Sequence, residues 1–294
     1  MGTDSGLPLG FLNINKPKGM TSHDVVGKLR KILGLKQIGH TGTLDPFATG
    51  VLPICIGKAT KLIEYLPDDK EYIATVQFGK STDTYDLDGE TVKVFEKKVK
   101  SDEIICSLKN FEGDISQLPP IYSAIKKNGK KLYEYARAGE TVEIEPRQVK
   151  ISQINLLDFD EATQIAKIKV ACSAGTYIRS IANDLGNMME CGGYLIALER
   201  TKAGKFTIED SHDLSEVSDK DFAENGLLYP TEVMDNEVCD LSESEAERIS
   251  HGMPIKNRGY KSSNIVFLVY SGKIHGVGLV ADDKILAKKV FEVL

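Results

Sequence analysis

The sequence has few of the features that announce metals, disulfides, membranes or nucleotides. Its five cysteines (Cys55, Cys106, Cys172, Cys191 and Cys239) form an odd set, with no C-x-x-C pair and no neighbouring histidine. That argues against a disulfide framework and a zinc site, and predicts reduced thiols packed as small buried hydrophobes. No apolar run approaches the roughly 20 residues that span a bilayer, and the opening stretch MGTDSGLPLG lacks the basic and apolar regions of a secretory signal. A cytoplasmic protein without membrane contact is the expectation. There is no G-x-x-x-x-G-K-[ST] or G-x-G-x-x-G run, so binding of nucleotide phosphates or of a dinucleotide has no motif behind it. The G-x-S-x-G elbow of a serine hydrolase is missing too, as are internal repeats and low-complexity tracts.

An excess of positive charge is also lacking. The formal net charge of -6 argues against a nucleic-acid partner when taken as a total. Its distribution weakens that conclusion. Lys16, Lys18, Lys28, Arg30, Lys31 and Lys36 lie in one stretch with a single acid, Asp24, and KKNGKK at 126–131 adds Lys126, Lys127, Lys130 and Lys131 with none. Each cluster alone reads as a solvated face; two together in an acidic chain point to a local anionic partner.

What is present is an ordinary folded composition, 41% hydrophobic and 27% charged over 294 residues, enough for one large domain or two. Residues 21–34 carry Val25, Val26, Leu29, Ile32 and Leu33 at helical spacing, with Thr21 and Asp24 as a capping box and Gly34 as the stop. YIATVQF at 72–78 alternates as a strand, TDTYDLDG reads as a turn, and ETVKVF as a returning strand. A helix over 102–111 ends at Gly113. Residues 122–147 show little periodicity and read as a long excursion from the core, a frequent place for function. IAKIKVAC at 165–172 is a half-buried strand that turns through Gly175 into a helix with Ile178, Ile181, Ala182 and Leu185 on one face, closed by Gly186. Arg179 falls in its first turns, near a strand-to-helix junction. The acidic stretch after about residue 210 reads as a surface connection. Ser242 and Glu245 then cap a short helix, and IVFLVY, HGVGLVA and ILAKKVFEV form a small, mostly β module of roughly 60 residues.

Asp45 stands alone in GHTGTLDPFATGVLP, residues 39–53. Pro46 forces it away from the α region, and Gly42 and Gly50 permit bends on either side. A carboxylate held by its own backbone suits a nucleophile or general base, although an aspartate that merely caps its turn explains the segment as well. With no second acid in the stretch, a paired-carboxylate glycosidase is poorly supported. The residues alone reach one oriented aspartate, basic flanks and no cofactor.

NKPKGMTS (15–22), GHTGTLDPFATGVLP (39–53), KEY (70–72), GKSTDTYDLDG (79–89), LPPIYSAIKKNGKKLYEYARAG (118–139), CSAGTYIRSIANDLG (172–186) and LERTKAGKF (198–206) occur in the order and spacing of the bacterial TruB family, the tRNA pseudouridine-55 synthases. The chain resembles that family from about residue 11 to 206. Its end is similar only at the level of a small RNA-binding PUA domain. The resemblance implies an α+β pseudouridine synthase fold with a mixed, largely antiparallel central sheet. It divides the chain into a catalytic domain, 1–234, with a thumb-like insertion at about 122–147, and a PUA-like β-barrel, 235–294.

The same resemblance implies isomerisation of uridine to pseudouridine in the T loop of tRNA, at position 55, without a cofactor or metal. Asp45 matches the catalytic carboxylate; whether it adds to the sugar, adds to the base or deprotonates C2′ stays open. Arg179 matches the arginine that pairs with it, a partner that fixes the acid's direction and favours its charged form in a partly dry pocket. Tyr72 is similar to the aromatic residue that stacks on the target uracil, a contact estimated at about 1–3 kcal/mol. Tyr177 and Leu198 resemble further pocket contacts, and His40 the histidine that reaches into the T loop where the base leaves its stack. Lys16 and Pro17 match a motif that supports the site, and Lys126, Lys127, Lys130 and Lys131 suit phosphate contacts. Two other readings remain: an inactive RNA-binding module, which the intact Asp45, Tyr72 and Arg179 disfavour, and a guide-RNA-dependent relative, which usually has a longer, more basic chain. No obligate protein partner is expected.

Overall fold

The computed structural model describes residues 9–291. Most of the stretch read for a signal, and the last two residues of ILAKKVFEV, lie outside the described residues. The chain builds one mixed sheet whose main path runs His212–Asp213, Gly10–Lys16, Thr49–Ile56, Gly193–Ala203, Lys70–Phe78, Ile165–Cys172, Arg147–Asp160 and Gly113–Gln117. Two of these pairings are parallel, His212–Asp213 with Gly10–Lys16 and Thr49–Ile56 with Gly193–Ala203; the rest are antiparallel. The expected α+β class with a largely antiparallel sheet is what forms.

Helices cover the sheet where their apolar stripes dictate. Helix Ser22–Leu33 buries Val25, Val26, Leu29 and Leu33 against Leu12, Ile14, Leu52 and Ile54. Its start is the expected capping box, with Thr21 Oγ1 accepting from the Asp24 amide at 3.0 Å and Asp24 Oδ2 from the Thr21 amide at 2.9 Å. Its end is Gly34 at φ 63°, in the left-handed region open to glycine. Helix Ile178–Met188 buries Ile178, Ile181, Ala182 and Leu185 over Ala74, Val76, Ile168 and Val170.

Several expectations change in detail. Gly186 does not close its helix, which runs on to Met188; a Cβ there would lie 2.2 Å from the Gly193 amide, so this glycine lets helix and strand touch. The helix expected over 102–111 is an α-helix, Ser101–Leu108, followed by a tighter turn, Lys109–Phe111. Thr91–Val94 is an exposed strand, but it pairs with Lys80–Thr82 in a separate two-stranded ribbon. Residues 122–147 contain a two-stranded hairpin, Lys126–Lys127 with Lys130–Lys131, and a short helix, Leu132–Arg137. Asn128 and Gly129 make its turn at φ 52° and 82°, so the Asn-Gly pair inside KKNGKK was the signal that periodicity missed. The acidic stretch after 210 is no mere surface connection, because Leu214, Val217, Ala223 and Leu227 are buried beneath helix Ser22–Leu33. Four cysteines are buried as expected; Cys106 is exposed.

Beyond residue 234 a second, five-stranded sheet runs Glu237–Asp240, Ile265–Tyr270, Lys273–Ala281, Lys284–Val290, Ile255–Lys256, with helix Glu243–Ser250 beside it. It is a curled half-barrel rather than a closed one. Phe267, Val277 and Phe291 share a core with Phe11, Val51, Cys55 and Phe206, which ties this sheet to the first.

The loop at 41–48 is pinned from several sides. Ser22 Oγ accepts from the Leu44 amide at 2.9 Å, and the Thr41 amide donates to the Pro53 carbonyl at 3.1 Å. Arg200, 2% exposed, donates from Nε to the Val51 carbonyl at 2.7 Å and from Nη2 to the Gly42 carbonyl at 3.1 Å. Gly50, at φ 101°, lies so close that a Cβ would meet the Arg200 carbonyl oxygen at 2.3 Å. Gly42 keeps a negative-φ backbone, so its part is to offer Arg200 a carbonyl, not to bend the chain.

Lys16 is 0% exposed, and Nζ donates to the carbonyls of Met20, Pro17 and Pro46 at 2.7, 2.9 and 3.3 Å. It therefore leaves the basic surface cluster and takes the supporting role that its motif implies. Burial pulls its amine from 10.5 down to about 8, against the attraction of Asp45. An amine depressed on folding makes the unfolded chain bind more protons between those values, so its contribution to stability is lowest below pH 8 and complete above pH 10.5. Urea unfolding across that window is expected to show the wild type gaining up to about 3 kcal/mol over Lys16→Met as pH rises. A pH-independent difference would show that Lys16 ionises as in water.

Candidate active site

Asp45 sits at the head of a turn that closes when the Ala48 amide donates to its carbonyl at 3.1 Å. Leu44, Phe47 and Ala48 are buried on either side, which leaves the carboxylate, 31% exposed, as the group that faces the cleft. The turn-capping explanation fails here, because the side chain is engaged elsewhere.

Its partner is Arg179, whose side chain is only 6% exposed. Nη2 donates to Asp45 Oδ1 at 3.1 Å, and Nε lies 3.0 Å from Oδ2, too oblique for a hydrogen bond. The rest of the guanidinium is held by backbone, with Nη2 on the Tyr122 carbonyl at 2.9 Å and Nη1 on the Thr84 carbonyl at 3.1 Å. Asp86 Oδ2 stands 3.4 Å from Nη1 as a second carboxylate. Asp86 accepts from the Thr84 hydroxyl at 2.5 Å and from the Asp88 amide at 3.1 Å, and burial pushes its pKa up. The preceding Tyr85 has φ 62°, an uncommon conformation for a side chain of its size, and it turns Asp86 inward. Sequence reading took this segment as a plain turn. The density of Asp in TDTYDLDG was the available signal.

Tyr72, 8% exposed, and Leu198, 6% exposed, come from adjacent strands and form the floor of the same cleft. Burial pushes the Tyr72 phenol up, with the Arg200 charge opposing, so it stays neutral near pH 7. Tyr177 closes one side and His40 another. His40 Nδ1 is buried without a hydrogen-bond partner, and its pKa is lowered by burial first, then by Arg200 and His23. A neutral imidazole therefore faces the cleft near pH 7. The structure thus brings Asp45, Arg179, Tyr72, Tyr177, Leu198 and His40 to one cavity, although they lie between positions 40 and 198 of the chain. Arg200, which sequence reading passed over, is the buried cation behind Tyr72 and His40.

The lysines of the hairpin divide. Lys127 pairs with Glu145 at 3.3 Å and Lys130 with Glu140 at 2.8 Å, while Lys126 is exposed. Lys131 lines the cleft with Tyr133 and Arg137, whose charged groups lie 5.4 and 5.3 Å from the Tyr133 ring centre. Tyr133 and Arg137 were not expected as site residues. Among the described residues no group of three or more His, Cys, Asp or Glu side chains is placed to hold a metal ion, and no helix is long and apolar enough to cross a membrane.

Residues 30–178 match the profile described as TruB family pseudouridylate synthase (N terminal domain), and residues 179–234 that of the tRNA pseudouridylate synthase B C-terminal domain. A tRNA pseudouridine synthase B from Trichormus variabilis is 41% identical over 295 residues, covering 96% of this chain and 98% of its own. One from Clostridium kluyveri is 38% identical over 288 residues, covering 96% and 99%. Among solved structures, a Cbf5-Nop10-Gar1 complex has a chain that superposes with a TM-score of 0.71 at 25% identity, covering 100% of this chain and 90% of that one. The chain therefore belongs to the TruB family of tRNA pseudouridine synthases, isomerases that act on tRNA.

Proposed function

We propose that the protein isomerises the uridine at position 55 in the T loop of tRNA, with Asp45 as the catalytic carboxylate and no cofactor. The observation that carries this reading is the buried Arg179, which holds Asp45 side-on at the mouth of a cleft floored by Tyr72. The reaction breaks the bond between uracil N1 and ribose C1′ and joins C1′ to C5, and the C5 hydrogen leaves as a proton while N1 takes one up. Electrons and atoms balance without an outside donor. Tyr72 offers a neutral aromatic face for an extruded base, and neutral His40 can fill the space that base leaves in the loop. Tyr177 and Leu198 wall the base pocket.

The RNA backbone takes the hairpin side in this reading. Lys131 and Arg137 meet phosphates at the cleft, Lys126 and the partly paired Lys127 and Lys130 meet them farther out, and the half-barrel from residue 235 acts as a PUA-like RNA-binding unit. The protein works alone, in the cytoplasm. The solved neighbour is a complex with further proteins, so the decisive assay uses the purified chain with no other protein present.

Incubation with unmodified tRNA tritiated at uridine C5 is expected to release tritium from the T-loop uridine. No release from that position ends the stand-alone reading. Asp45→Asn is expected to lower turnover by at least about a thousandfold while tRNA binding survives; retained turnover would place the catalytic group elsewhere. Lys131→Ala combined with Arg137→Ala is expected to weaken tRNA binding and reduce the slope of log K against log salt by roughly one to two. An unchanged slope removes both residues from the phosphate footprint.

A further inference from the structure

Gln117 ends the strand Gly113–Gln117, is 3% exposed, and lies outside the cleft lining. Its amide nevertheless makes two hydrogen bonds to one cleft residue. Nε2 donates to the Tyr177 carbonyl at 3.0 Å, and Oε1 accepts from the Tyr177 amide at 2.7 Å. A primary amide that satisfies both backbone groups of one residue acts as an added strand residue would. Tyr177 is also the residue before helix Ile178–Met188, in an extended conformation, with no side-chain cap of its own.

The contacts continue along the chain. The Leu118 carbonyl accepts from Ser180 Oγ at 2.9 Å, and the Tyr122 carbonyl from Arg179 Nη2 at 2.9 Å. Pro119 and Pro120 lie between them, and proline narrows both its own backbone and that of the residue before it. Segment 117–122 is thus a stiff strut along the start of the helix, bonded to residues 177, 179 and 180. Its first bond pair orients a pocket wall, and its last holds the guanidinium that faces Asp45.

We propose that Gln117 is a positioning residue, which through Tyr177 sets the pocket wall and the helix start from which Arg179 reaches Asp45. This rests on the reaction proposed for Asp45. Of the two isosteric side chains Gln and Glu, only the amide donates and accepts at once at neutral pH, when the carboxyl is ionised. A carboxylate would accept from the Tyr177 amide but repel its carbonyl, whereas a protonated carboxyl restores both bonds. Burial raises the pKa of a carboxyl placed there above the ordinary value of about 4.3, so Gln117→Glu becomes a protonation-dependent version of the same clasp.

The test is single-turnover tritium release by wild type, Gln117→Glu and Gln117→Met from about pH 5.5 to 8.5, with tRNA affinity and circular dichroism measured alongside. Gln117→Glu is expected to approach the wild-type rate at the acid end and to fall roughly tenfold or more behind it at the alkaline end. Gln117→Met is expected to be slow throughout, with tRNA affinity and secondary structure held by both variants. A Gln117→Glu to wild-type ratio flat with pH, or a Gln117→Met rate equal to wild type, overturns the proposal and leaves the Asp45 reaction standing. A wild type that releases no tritium overturns that reaction, and this inference with it.

Discussion

A guanidinium cut off from water depends on nearby carboxylates and carbonyls, and Arg179 is such a group. Leaving one charge of a buried pair uncompensated costs about 3–5 kcal/mol. With 6% of its side chain exposed, Arg179 meets the carboxylate of Asp45, that of Asp86 and the carbonyls of Thr84 and Tyr122. The four partners come from three parts of the chain: the loop after the short strand Ile38–His40, the turn at 83–89 that supplies both Thr84 and Asp86, and the segment entering the hairpin. Only the completed sheet brings these three to the start of one helix. The requirement to satisfy one cation therefore fixes the relative placement of Asp45, the turn at 83–89 and the entry to the hairpin.

That demand explains why so much of the surrounding chemistry is backbone held by buried polar side chains. Lys16, Ser22 and Arg200 each bond carbonyls or amides of the loop that carries Asp45, and Gln117 does the same for the residue before Arg179's helix. Burying these groups is unfavourable unless each bond is made, so the loop and helix gain one set of positions in which all are satisfied. In the proposed function this fixity serves the reaction, because a reacting carboxylate must be held near attack geometry.

The elements that obey local rules were legible in the sequence. Helix Ser22–Leu33 could be read from its stripe, its capping box and Gly34, and strands Lys70–Phe78 and Ile165–Cys172 from their alternation. What escaped depends on contacts far apart in the chain. Gly186 looks like a helix stop until strand Gly193–Ala203 is laid against it. Leu214, Val217 and Leu227 look like strays in an acidic linker until helix Ser22–Leu33 covers them. Of the site, Asp45, Arg179, Tyr72, Tyr177, Leu198 and His40 were named through the motifs that carry the family resemblance, and the structure brings them into one cleft. Asp86 and Arg200 went unread because a turn aspartate and a strand arginine are ordinary until burial makes their charges matter.

An acidic chain and an RNA substrate are compatible for a local reason. Two of the hairpin cations are paired: Lys127 leans on Glu145 and Lys130 on Glu140, at side-chain exposures of 30 to 82%. Exposed pairs of this kind are worth about 0–1 kcal/mol. Exchanging a carboxylate for a phosphate across them costs little, and the phosphate arrives with counterions whose release favours binding. The acids offset repulsion among the hairpin lysines in the free protein, and in the proposed function a phosphate takes their place. Net charge sums over the whole surface; a polyanion meets only the face that surrounds the cleft, where Lys131 and Arg137 flank Tyr133. In the proposed function that face meets opposing demands, phosphates at Lys131 and Arg137 and an uncharged base against Tyr72 in the same cleft. A ligand that supplies only charge satisfies the first and leaves the pocket empty.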